Sequence, residues 1–145
     1  KDRSDNIGGL CGDNIEGIIT NCYVIGNIVT LGEYTSFVGG LCGVNISGII
    51  SNCYAIGEIS GGFRAYDFGG LCGANGGGEI TNCFATGNII GGEGSTSLGG
   101  LCGYNDGLIS QSYSDSHITG ENNIGGLCGK NLPKWLCRQA ALDRQ

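Results

Sequence analysis

The chain has 145 residues, of which 31 are Gly, 9 are Cys, 1 is Pro and none is Met; 40% are apolar, only 14% are charged, and the net charge is −6. A chain this apolar is not disordered, and glycine this frequent without a triplet period is not collagen. With the basic residues mostly at the two ends, no stripe tracks a phosphate backbone, an anionic membrane would be repelled, and no apolar run approaches the roughly 20 residues that span a bilayer, so no nucleic-acid partner and no membrane insertion are expected.

The opening "KDRSDN" is short and polar, and begins on Lys1 with no visible signal peptide. It reads as the start of a mature or excised piece. A repeat follows. "GGLCGD" returns as "GGLCGV", "GGLCGA", "GGLCGY" and "GGLCGK", placing Cys11, Cys42, Cys72, Cys102 and Cys128 at intervals of 31, 30, 30 and 26 residues. After the first four comes a second motif, "IITNCYVIGNI", "IISNCYAIGEI", "EITNCFATGNI" and "LISQSYSDSHI". Leu10, Leu41, Leu71, Leu101 and Leu127 never change, nor do Ile19, Ile50, Ile80 and Ile109, nor Ile28, Ile59, Ile89 and Ile118. A column that never changes within one chain is most simply a packed column.

Short runs of Ile, Val, Thr and Tyr, broken by Gly and Asn every 8–12 residues, predict strands and no helix in these repeats. A unit of about 30 residues cannot bury its own apolar face and must stack on copies of itself. The expected fold is therefore all-β, a single domain over 1–145: a right-handed parallel β-helix of about five coils starting near residues 7, 38, 68, 98 and 124, with roughly three strands per coil. Coils about 4.8 Å apart would make a stubby rod.

Glycine and asparagine suit the corners, where the backbone takes angles other residues resist. Asn14, Asn45, Asn75, Asn105 and Asn131 recur at one point of each repeat and are expected to form a structural ladder of stacked amides. Tyr23, Tyr54, Phe84 and Tyr113 form an aromatic column able to stack. The stretch before each "GGL" varies most in residue and length ("LGEYTSF", "GGFRAYD", "GGEGSTS", "GENN"), which marks it as the loop edge. Tyr34, Phe63, Arg64 and Tyr66 on that edge are the ligand-binding candidates, aromatic platforms with a polar group beside them. The ending "NLPKWLCRQAALDRQ" breaks the pattern, and Pro133, Trp135, Leu136, Ala140 and Leu142 suit a short capping helix within 132–145.

The stretch "GGLCGxNxxGxIxNCYxxGxI" resembles the GLUG motif, over about residues 7–131. Tandem GLUG copies occur in bacterial surface proteins, including adhesin-like proteins and the non-catalytic part of some immunoglobulin A peptidases. The resemblance implies a secreted or surface-displayed region rather than a catalyst. The fourth copy departs from it, with "SQSY" for "NCY".

Three repeats carry cysteines eleven residues apart: Cys11/Cys22, Cys42/Cys53 and Cys72/Cys83. Such cysteines could be small apolar core residues, or one disulfide per coil in an extracellular setting. Cys137 could then serve Cys128, leaving Cys102, whose partner position is Ser112, as a buried thiol outside any bridge. No C-x-x-C occurs and His117 is the sole histidine, so no metal and no cofactor are expected.

Catalytic groups do not converge. His117 beside Ser114, Asp115 and Ser116 is weak support for a triad assembled in space, and Asp67 near Arg64 and Tyr66 is the best local candidate for a carbohydrate-active enzyme. The register column Thr20, Ser51, Thr81 and Ser110 is a thin case for ice binding. The expectation is a non-catalytic extracellular module for adhesion or rigid display, with a glycan or host surface protein as partner. A self-assembling fibre subunit is the alternative.

Overall fold

The structure, a computed structural model, describes residues 5–132. It is an all-β parallel solenoid of about four turns with about 30 residues per turn, and the described residues contain no helix. The expected capping helix and Cys137 lie outside the described residues. One turn shows the plan: strands Ser36–Gly39, Cys42–Ile46, Ile49–Ser51, Tyr54–Ile56 and Ile59–Ser60. Each pairs in parallel with its counterparts one repeat away, as Ile59 does with Ile28 and Ile89. Like strands thereby collect into four sheets, of five, seven, four and four strands.

Two expectations change here. The first two turns hold five short strands each and the next two hold four, rather than three, because residues in the left-handed region break the wall. Asn21, Asn52, Asn82 and Gln111 take φ of 55°, 53°, 52° and 48°, and turn the chain between the second motif's two strands. Of the expected fifth coil, the described residues hold only Asn122–Gly125 and Cys128–Asn131.

The "GGLCG" glycines serve a purpose other than corner flexibility: none of them is among the left-handed residues. They are glycine because backbones meet there. A Cβ on Gly39 would lie 2.1 Å from the carbonyl oxygen of Cys42, and one on Gly73 would lie 2.5 Å from the backbone of Phe37 and Val38. The chain bends at Gly40 and Leu41, so the alternation of a flat strand fails, and Leu41 and Cys42 both point inward with no exposure. Two apolar clusters result. One holds the Leu, Cys and Ile50/Ile80/Ile109 columns; the other holds Val38, Ile59, Phe68, Ile89 and Leu98. The first coil is covered on one side only among the described residues. Ile18 is 71% exposed where Ile49, one turn on, is 38%.

Candidate functional site

The variable edge carries a chemically mixed cluster. Tyr34 and Arg64 occupy one register column in left-handed turns, at φ 61° and 52°, and the next position in that column is Gly94. Having no side chain, Gly94 leaves room for the Arg64 stem, whose Cγ would be 2.9 Å from a Cβ there. The guanidinium reaches back one turn: Nη1 donates to Tyr34 Oη at 3.2 Å, and Cζ lies 5.7 Å from the Tyr34 ring centroid and 5.0 Å from that of Phe63. Tyr34 and Phe63 meet edge to face at 6.4 Å. Three of the four candidates are thus together. Tyr66 is set apart, edge-on to Phe37 at 5.9 Å.

Asp67 is directed away from this cluster. Burial raises its carboxyl to about 6, against the opposing effects of the Ser97 hydroxyl and the positive charge of Lys130. Its φ of 58° is shared by the column Asn6, Phe37, Ser97 and Asn123, a kink repeated in every first strand. At the triad candidate, Ser114 donates to Ser116 at 3.0 Å rather than to His117, which is exposed. In the hydroxyl column Ser51 donates to Thr20 and Ser110 to Thr81, so these groups bond to one another along the wall.

The Asn ladder forms, and it is interior. Asn14 donates to Asn45, Asn45 to Asn75, Asn75 to Asn105 and Asn105 to Asn131, at 2.7 to 2.8 Å. The same amides close the local turn, as Asn45 does on the carbonyl of Gly48 at 3.0 Å. Outside, the aromatic column stacks: Tyr23, Tyr54, Phe84 and Tyr113 lie 4.8 to 5.1 Å apart and within 7° of parallel.

The bridges Cys11–Cys22, Cys42–Cys53 and Cys72–Cys83 are not formed in this structure. Cys11, Cys22, Cys42, Cys53, Cys72, Cys83, Cys102 and Cys128 all carry thiols, so Cys102 is not set apart from the rest. The physical reason is where the sulfurs point. Cys11 Sγ donates to Cys42 Sγ at 3.5 Å, along the column, while Cys22 Sγ turns to the Thr20 carbonyl at 3.3 Å. Burial and the Cys42 thiol push Cys11 up to about 12; the hydrogen bond with Cys72 and burial push Cys42 up as well.

Sequence reasoning passed over one feature, an open groove of about 440 Å³ lined by Ser47, Ile49, Glu79, Asp106 and Leu108. Its floor is the glycine column Gly48, Gly78 and Gly107, where side chains would collide with the Asn ladder. That invariant glycine was the available signal. Among the described residues no group of three or more His, Cys, Asp or Glu is placed to hold a metal ion.

Residues 36–60 and 65–90, two successive turns of this wall, match the family model described as the GLUG motif. The chain carries GLUG repeats. In both matched GLUG repeats the segment runs from the turn's first strand through its last, so the motif corresponds to one turn of solenoid. No curated protein and no solved structure matches the chain.

Proposed function

We propose that this GLUG-repeat chain is a non-catalytic module of a secreted or cell-surface bacterial protein, used for adhesion or rigid display. The finer architecture that belongs to this proposal is a right-handed winding and a fifth coil. The observation that carries the reading is the Tyr34–Phe63–Arg64 cluster. It places a cation and two aromatic rings on the one edge where the repeats differ, above walls that stack in register. Rings beside a fixed polar group suit the apolar face and hydroxyls of a sugar, or the side chains of a host surface protein. The test is binding of the full chain to a glycan panel and to host-cell surface protein, compared with Phe63→Ala and Arg64→Ala. Each change is expected to weaken binding about tenfold or more while leaving the circular dichroism unchanged. Wild-type binding that neither change affects would remove this edge from the proposal. Antibody access to intact cells checks the location.

One observation favours the second reading, a self-assembling subunit. Ile15, Ile18, Ile25, Val29 and Leu31 are all largely exposed on the first coil, Leu31 at 91%. Uncovered coil edges of this kind recruit further strands. Concentration-dependent sedimentation that Ile18→Lys abolishes would support fibre assembly over adhesion.

A further inference from the structure

The nine cysteines ask for a use, and the structure arranges the described ones as two lines running along the rod. One line is Cys11, Cys42, Cys72, Cys102 and Cys128, in register strand by strand. The other is Cys22, Cys53 and Cys83, at the turn before each aromatic strand. The cysteines that interact with Cys42 and Cys53 stay within their own lines: Cys42 interacts with Cys11 and Cys72, and Cys53 with Cys22 and Cys83. Nothing crosses from one line to the other among these contacts. The eleven-residue spacing that suggests a bridge within a coil therefore names two sulfurs that are turned apart.

We propose that Cys11 and Cys42 are a modification site, at which oxidation by a small disulfide reagent stitches the first coil to the second. Their sulfurs are 3.5 Å apart, and the residues are direct partners in adjacent parallel strands. Neighbouring strands lie about 4.8 Å apart, within the roughly 4.4–6.8 Å between Cα atoms that a disulfide spans. Closing the remaining gap needs side-chain rotation and a small shift of one strand. The first coil can supply it, being covered on one side only among the described residues. Access favours the ends of the line: Cys11 is half-buried, as is Cys128, whereas Cys42, Cys72 and Cys102 have no exposure.

The chemistry balances without a metal. The Cys11 thiolate attacks one sulfur of the reagent, forming a mixed disulfide and releasing one reagent thiol. Cys42, on losing its proton, attacks the Cys11 sulfur and displaces the second reagent thiol. The two cysteines give up two electrons and two protons, and one reagent disulfide becomes two thiols. The elevated Cys11 thiol makes the first step slow at neutral pH and faster by about tenfold per pH unit up to about 10. A chain folded under reducing conditions thus keeps its thiols, and one exposed to oxidant for long acquires the stitch.

This inference does not depend on the adhesion reading. The test treats reduced, folded full-length protein with oxidised glutathione at pH 9, blocks the remaining thiols and cleaves after glutamate. Glu16, Glu33 and Glu58 place Cys11 in residues 1–16, Cys22 in 17–33, and Cys42 with Cys53 in 34–58. The expected product links 1–16 to 34–58, with fragment ions assigning Cys42. Cys22→Ser should keep that link; Cys11→Ser and Cys42→Ala should each lose it with unchanged circular dichroism. A link between 1–16 and 17–33 would overturn the proposal. So would a glutathione adduct that stays on Cys11, or no reaction at all.

Discussion

Asn45 Nδ2 donates to Asn75 Oδ1 at 2.8 Å, and neither side chain is open to solvent. Asn75 in turn gives its own amide hydrogens to Asn105 Oδ1 and the Gly78 carbonyl. An aspartate at 75 would accept from Asn45 but have nothing to donate, leaving a carboxylate against two acceptors. Asn75→Asp is therefore expected to lose about 3 kcal/mol or more at pH 7, and to recover part of it near pH 4, where protonation restores a donor. Urea midpoints at the two pH values decide it; a variant as stable as the parent at pH 7 would mean the ladder adds nothing.

Glycines of the same chain should differ sharply in tolerance. A Cβ at Gly73 meets backbone atoms of Phe37, Val38 and Gly43 at 2.5 to 2.7 Å, whereas one at Gly76 meets only Ile46 Cγ1, at 3.9 Å. Backbone cannot rotate away as a side chain can. Gly73→Ala should cost about 3 kcal/mol, and Gly76→Ala should stay within about 0.5 kcal/mol of the parent. Equal thermal midpoints for the two variants would contradict the close-approach account.

Ser95 Oγ is buried with no hydrogen-bond partner among the described residues, while the same column one turn earlier holds Ala65. A sealed hydroxyl without a partner is a net cost. Ser95→Ala is expected to raise stability by about 1 kcal/mol, read from the denaturation midpoint. Loss of stability would show that the hydroxyl is satisfied after all.

Asp67 sets a pH dependence of defined sign. Its carboxyl is raised by burial to about 6 in the folded chain, so the folded state resists ionisation more than the unfolded one does. The group costs nothing below pH about 4 and progressively destabilises as pH rises through 6. Asp67→Asn removes that cost and fits the backbone, since Asn6 and Asn123 hold the same left-handed position in their own turns. The variant should gain about 2 kcal/mol at pH 7.5 and nothing at pH 4. A gain independent of pH would point to a cause other than the charge.

The repeat itself made the solenoid legible. Columns such as Leu41/Leu71/Leu101 and Ile50/Ile80/Ile109 are sealed as their invariance implies, because a stacked coil exposes each interior position to the same neighbours. The aromatic and Asn columns stack for the same reason. What the sequence hid is what depends on the path between columns. Flat-strand alternation would turn one of Leu41 and Cys42 outward, and a bend at Gly40 and Leu41 turns both inward. The eleven-residue cysteine spacing was more conspicuous than the thirty-residue one, yet the sulfurs meet across turns. At the edge, composition picked out Tyr34, Phe63 and Arg64, but only the register shows Arg64 reaching back to a ring thirty residues earlier while Tyr66 joins Phe37.

The close stacking of turns has a consequence for what length means in this molecule. About 30 residues advance the rod by a single strand spacing of about 4.8 Å, roughly 0.16 Å per residue, where an extended chain advances about 3.3 Å. As a tether the solenoid is some twentyfold wasteful. What another repeat adds is perimeter: one more ring of wall whose inner columns are dictated by the ring beside it and whose outer edge is free to differ. A lineage that lengthens such a chain gains little reach and one new place to write a surface.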